Sequence, residues 1–374
     1  MPQPDFPAPP RLERVEAIHV RVPFRRPLLD ATGEFTHRRT WLLRIVDAEG
    51  NEGLGEAALN PVAADVTAGS LAALIREIVP ELAAGRTPAW SDLAAEGEPG
   101  RAAMAAVHSA IGALLAARDA PSAAAAAPTP IPVSAAIPFA GPDAGAEAAA
   151  QAIELGFGTL KLRAGFERST DQLVDRLRAI RAAVGPEPRL RIDAGGAWDL
   201  ETAAERIAAV APFRVEFVEQ PLVAWDLAGH AALRERVRVP IALDESIDSE
   251  GSARAALAER AADVVIVKPA RVGGLAATMR VVEAAGAASA SVVLGTYFET
   301  GVGIAAVLRI AAALPLADSG RQPAHGVATA GVLVHDLLAA PLPIERGAMA
   351  VPARITLDES EVARYTLERF EALG

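Results

Sequence analysis

The chain has 374 residues, of which 51% are apolar and only 4% aromatic, and it carries a formal net charge of −11 with no cysteine. That length accommodates a barrel of about 250 residues plus a further module. The acidic balance argues against a nucleic-acid or anionic-membrane partner, and the absence of thiols excludes a disulfide framework, a thiolate nucleophile and a Cys-ligated metal.

The N-terminal stretch MPQPDFPAPPRLERVEAIHV has Pro and charge where a secretory leader needs an apolar run. No stretch of about 18 residues is both apolar and uncharged, so a cytoplasmic protein without membrane contact is expected. AAMAAVHSAIGALLAARDA carries Arg, His and Asp at intervals and reads as a buried amphipathic helix. RVEAIHVRVP and RRTWLLRIVDAEGNEGLGEAAL predict a strand followed by a hairpin around the DAEGNEG turn. Helical periodicity follows over roughly 68–84 and 101–118. APSAAAAAPTP, residues 120–130, has Pro near both ends and a low-complexity centre, as a linker between modules would.

From Ile131 the pattern becomes short apolar runs alternating with helical segments. The runs are IPVSAAIP, GTLKLRAG, RLRIDAGGAW, VEFVEQPL, PIALDES, ADVVIVKPA and ASVVLGTYFE, with PAHGVATAG as a candidate eighth. Strand, helix, strand, helix implies parallel strands with crossovers, and eight such units close a barrel. The fold class expected is α/β, a (β/α)8-type barrel behind an N-terminal α+β unit.

One charged residue ends each successive run: Arg163, Asp193, Glu219, Asp244 and Lys268, at gaps of 30, 26, 25 and 24 residues. Each gap is one βα unit, so these side chains are delivered to the end of the barrel where active sites are built. Carboxylates converging from adjacent strands repel one another unless a cation lies between them. Oxygen ligands point to a hard ion, and Asp193, Glu219 and Asp244 are expected to bind Mg²⁺. Lys161 and Arg163 share one strand face, and two cations there imply an anion opposite. With Lys268 approaching from the far side, a metal-chelated carboxylate substrate would have its α-carbon between them. A base could then remove the α-proton while the metal holds the enolate.

The series KLR, DAGGAW, VEFVEQP, ALDES and IVKP followed by GG resembles the enolase superfamily, and within it the muconate-lactonizing-enzyme subgroup. The resemblance covers nearly the whole chain. It implies a capping domain over a modified barrel, Mg²⁺ on Asp193, Glu219 and Asp244, and acid/base lysines on the second and sixth strands. Residues 1–125 would form the capping domain, 126–340 the barrel with the metal site, and 341–374 a C-terminal segment packing back on the capping domain. GTYFETGVGIAAVLRIAAALP, AHGVATAGVLVHDLLAAPLPIERGAMAVP and RRPLLDATGEFTHRRTWLLRI are most similar to o-succinylbenzoate synthases. That likeness implies a lyase of menaquinone biosynthesis that eliminates water.

Two residues depart from the family pattern. Arg163 stands where the K-x-K motif has its catalytic lysine, and a guanidinium is a poor proton acceptor but a good carboxylate clamp. Gly195 stands where the DANGAW form has Asn, which removes a hydrogen bond near the metal. Proton transfer then falls to Lys268, to Lys161, or to Arg163 in an unusual environment. Thr296 and Glu299 are candidate substrate contacts, with capping of the next helix as the alternative for Glu299. Glu245 is expected to point away from Asp244 and to orient Lys161 or another neighbour. His325 reads as a surface turn residue, and Arg38 and Arg39 as loop charges or a lid over the substrate carboxylate.

The competing activities are an N-acylamino acid racemase or dipeptide epimerase, which needs a base on both faces, and a catalytically impaired barrel that only binds a carboxylate. PAHGVATAG lacks the D-x-D pair that dipeptide epimerases typically carry. The expected partner is a small-molecule carboxylate, with homo-oligomerisation left open.

Overall fold

A computed structural model describes residues 9–30, 33–61, 64–119, 130–316 and 322–374. The linker stretch 120–129 lies outside the described residues. Strands β1 (Leu12–Asp30), β2 (Gly33–Asp47) and β3 (Glu52–Ala57) form an antiparallel meander. Its side chains alternate between two cores because successive residues on a strand face opposite ways. Val15, Ala17, Leu43 and Ile45 pack on helices α1 (Ala64–Ala83) and α3 (Gly97–Asp119), with the short α2 (Trp90–Ala95) beside α3. Ile18, Val20, Val22 and Leu42 face a second cluster with Val302, Leu333 and Leu337. Helix α3 lies directly on β3: a Cβ on Gly55 would overlap the carbonyl oxygen of Ala106. This helix is long and apolar enough to cross a membrane by composition, but 67% of its apolar window is buried inside the protein.

The barrel begins with β4 (Ile131–Pro132), which leaves the main sheet, and β5 (Ala135–Ile137), which starts it. Strands β6 (Thr159–Arg163), β7 (Arg189–Asp193), β8 (Val215–Glu219), β9 (Ile241–Leu243), β10 (Val264–Val267) and β11 (Ser291–Leu294) follow in spatial order, all parallel. Helices α4 (Pro142–Glu154), α5 (Thr170–Val184), α6 (Leu200–Val210), α7 (Leu227–Arg236), α8 (Glu250–Ala258), α9 (Pro269–Val272), α10 (Gly274–Ala287) and α11 (Gly301–Ala313) lie between and after the strands. Their starts are written locally: Asp199 accepts from the Thr202 amide at 2.8 Å, and Ser249 and Ser252 form a capping box before α8. PAHGVATAG does not form an eighth strand ladder. His325 bridges Val133 and Gly326 bridges Gly295, one residue each, and these bridges link the last strand back to the first.

Leu160, Leu162, Leu190 and Ile192 face the helices, whereas Phe217, Ala242, Val264, Ile266 and Val293 form a separate apolar cluster. By the same alternation Lys161, Arg163, Asp193, Glu219, Asp244 and Lys268 share the parity of that second set and continue it toward the C-terminal ends of the strands. The remaining chain adds a hairpin, β12 (Ile344–Glu345) and β13 (Ala348–Met349), on β4. Helix α12 (Glu359–Tyr365) leads into β14 (Thr366–Leu373), which pairs antiparallel with β1.

Candidate active site

In-register pairing sets the site. Arg163 lies opposite Asp193 and Asp193 opposite Glu219, while Asp244 and Lys268 each follow directly on their strand. The Lys161 Nζ donates to Oε1 of Glu219 at 2.7 Å and is 3.1 Å from Oδ2 of Asp193. Arg163 Nη1 donates to Oδ1 of Asp193 at 2.9 Å. Lys268 Nζ reaches both oxygens of Asp244, at 2.8 and 2.5 Å, and lies 5.0 Å from the centroid of the Tyr297 ring. The structure thus brings all six of these sequence-derived candidates into one cluster.

Burial alone would lower the Lys161 ammonium, but Asp193, Glu219 and Asp244 outweigh it and hold the group above the ordinary lysine range. Glu219, buried and facing Asp193 and Asp244, is pushed up to about 8 despite Lys161. Burial would raise Asp193 and Asp244 too, yet Lys161 and Arg163 pull the first down and Lys268, Arg271 and Lys161 pull the second down. Three carboxylates, Asp193, Glu219 and Asp244, thus meet the cations Lys161, Arg163, Lys268 and Arg271 at ion-pair distance.

Two residues that sequence reasoning missed anchor the loop after β9. Arg271 donates to the Asp244 carbonyl at 2.8 Å, to its Oδ1 at 3.2 Å and to the Glu245 carbonyl at 3.1 Å. Gln220, at φ +41°, accepts from the amides of Asp244 and Ser246 through Oε1 at 3.0 and 3.2 Å. Their place in VEQP and KPARVGG was visible, but no periodicity marks a partner that lies one βα unit away.

Several expectations are corrected. Glu245 does not orient Lys161, which is taken by Asp193 and Glu219; burial and the adjacent Asp244 raise Glu245, Lys268 and Asp193 lie in range, and its Oε2 has no hydrogen-bond partner. His325 is fully buried where the barrel closes, and its Nδ1 accepts the Leu294 amide at 3.0 Å. Burial, with Arg191 nearby, lowers it to about 4, so the ring is neutral. Arg38 is neither a solvated charge nor a lid: it is 1% exposed and donates to the Leu59 carbonyl at 2.7 Å, while Arg39 is half-buried. Glu299 does not cap α11. Thr300 does, and the buried Glu299 carboxylate accepts its neighbour's amide at Tyr297. The Thr296 hydroxyl pairs with that of Thr329 at 2.9 Å.

As the side chains lie, no three Asp, Glu or His groups among the described residues converge closely enough to hold a metal. Each carboxylate of the triad has an ammonium or guanidinium instead. The donor set nevertheless suits a hard cation: Asp193 and Glu219 already converge on one positive point, the Lys161 Nζ, Glu219 and Asp244 are buried, and all the donors are carboxylate oxygens.

Residues 144–360 match the enolase C-terminal domain-like family. An o-succinylbenzoate synthase of Thermobifida fusca (strain YX) is 39% identical over 216 residues, 57% of this chain and 64% of that protein. An L-Ala-D/L-Glu epimerase of Clostridium acetobutylicum is 32% identical over 164 residues, 43% of this chain and 45% of that protein. The chain thus spans about half to two thirds of the length of these curated relatives. A solved structure described as a probable mandelate racemase from Alicyclobacillus acidocaldarius superposes with a TM-score of 0.79 at 26% identity, covering 97% of this chain and 99% of that one.

Proposed function

The chain belongs to the enolase C-terminal domain-like family, and from that premise we propose that it is an Mg²⁺-dependent lyase of the o-succinylbenzoate synthase kind, which removes a proton α to a carboxylate and eliminates water. The observation that carries this reading is the convergence of the Asp193, Glu219 and Asp244 carboxylates on the strand-end cations Lys161, Arg163 and Lys268. Loading a divalent cation onto Asp193, Glu219 and Asp244 would add two positive charges to a site already lined by Lys161, Arg163 and Lys268, which favours an anionic substrate. When bound, Mg²⁺ would supply electrostatic stabilisation to the enolate of a substrate carboxylate.

The chain's own residues then divide the work. Lys268 is the group assigned to accept a proton at Nζ, and Lys161, held as an ammonium by Asp193 and Glu219, could do so only once a cation had taken those carboxylates from it; Arg163 stays charged and holds an anion. The α-proton passes to one Nζ, the carbon–carbon double bond forms, and the β-hydroxyl leaves as water after taking a proton from the resulting ammonium. Tyr297 lies beside Lys268 with its ring centroid 5.0 Å from Nζ, close enough for a cation–π contact. Thr296 and Glu299 are proposed substrate-side residues, with menaquinone biosynthesis as the context and the cytoplasm as the place.

The second reading is racemisation or epimerisation. It is favoured by Lys161 and Lys268 standing on different carboxylates of the cluster and by the epimerase relative. The two are separated in D₂O. An o-succinylbenzoate-type precursor should lose water with no scrambling of unreacted substrate. Deuterium wash-in from both enantiomers of N-succinylamino acids, without dehydration of the precursor, would replace the lyase with the racemase.

A further inference from the structure

Arg163 and Gly195, separate departures in the sequence, meet in space. Gly195 has φ +55°, a left-handed conformation that Asn also tolerates, so the backbone alone does not demand glycine. The obstruction is the guanidinium. A Cβ at 195 would lie 2.6 Å from Nη1 and 2.8 Å from Cζ of Arg163. Moving the guanidinium aside would break its 2.9 Å bond to Oδ1 of Asp193 and its position over the Phe166 ring, 5.7 Å from the centroid. The Gly195 amide donates to that same Oδ1 at 3.1 Å. One oxygen of Asp193 is therefore held from two sides, while the other, Oδ2, faces the Lys161 ammonium at 3.1 Å.

We infer that Arg163 and Gly195 act as one unit: the missing side chain at 195 is the slot that the guanidinium fills, and the unit fixes Asp193 so that Oδ2 is presented to a cation bound between Asp193 and Glu219. Arg163 is then a positioning residue and not a proton carrier. A lysine in its place offers a single ammonium without the planar fork, so it neither fills the slot nor makes the same contact. The inference rests on the reading of Asp193 as a cation ligand.

The test is a double-mutant cycle on the full chain with Gly195→Asn, Arg163→Lys and both together. Thermal midpoints are read in EDTA, and Mg²⁺ and Mn²⁺ affinities by titration calorimetry. Gly195→Asn alone should lower the midpoint by several degrees and weaken cation affinity roughly tenfold to a hundredfold, the range for losing a group that orients a ligand. In the Arg163→Lys background the same Asn should cost nothing further in either measurement, and should restore affinity lost by Arg163→Lys. If Gly195→Asn fails to fold beside Arg163 but folds beside Lys, that rescue supports the unit equally. Additive losses, or failure to fold in both backgrounds, overturn the unit. A wild-type chain with no cation response removes Asp193 as a ligand, while the midpoints in EDTA still decide whether residues 163 and 195 are coupled.

Discussion

At the scale of single residues, the charges on β6 are explained by parity. Leu160 and Leu162 are buried against the helices, and Lys161 and Arg163 on the opposite face meet Asp193 and Glu219. If those carboxylates are cation ligands, Asp193→Asn and Glu219→Gln should abolish the rise in thermal midpoint that Mg²⁺ gives the wild type. An unchanged Mg²⁺ response in calorimetry of both variants would reject the assignment. Lys268→Ala should lower kcat by roughly a hundredfold or more, the usual worth of a positioned acid or base, while Mg²⁺ affinity is kept or increased because Asp244 loses a competing ammonium. Near-wild-type turnover in that variant would move the proton to Lys161.

At the scale of elements, the decisive contact joins β3 to the start of α11. The Glu56 carboxylate accepts from the amides of Thr300 and Gly303, the latter at 2.9 Å, and from the Thr300 hydroxyl at 2.7 Å. A negative charge at a helix N-terminus is favourable, but burial and the nearby Glu299 push Glu56 up to about 7 from 4.5, with Arg38 opposing. The folded state therefore holds a proton there that the unfolded chain has released, so stability is present below about pH 4.5 and is lost as pH rises to about 7. The loss is on the order of 3 kcal/mol. Wild type should thus show a falling thermal midpoint between about pH 5 and pH 8 that is clearly shallower in Glu56→Gln. Equal slopes in the two proteins would show that Glu56 does not titrate in this interval.

At the scale of the whole molecule, the last strand closes on the first. The sheet order β14-β1-β2-β3 places the last strand on the first, with Arg14 opposite Leu373 and Val20 opposite Thr366. Phe370 packs edge-on to Trp41 at 5.7 Å, and Arg369 reaches Glu16 at 2.5 Å. Truncation after Tyr365 strips this strand, opens the edge of β1 and leaves the buried Glu16 without one of its partners, so the thermal midpoint should fall by several degrees. A midpoint within about 1 °C of the full chain, by circular dichroism, would show that the closure contributes little.

The alternation of strands and helices, the parity of each strand and the delivery of one charged residue per βα unit to the same end are all legible in the amino-acid order. These are local or periodic properties, and Lys161, Arg163, Asp193, Glu219, Asp244 and Lys268 could be singled out from them. What each long side chain meets depends on how distant segments pack. Arg38 and His325 read as surface residues because polar residues usually are, yet each is buried by segments that reach it from elsewhere in the chain. Arg271 and Gln220 show the same limit, since their partners around Asp244 lie on neighbouring strands. Arg163 and Gly195 stand 32 positions apart and carry no common local signal. Their coupling comes from steric exclusion, a guanidinium and a Cβ competing for one volume, and such competition exists only after β6 and β7 have paired.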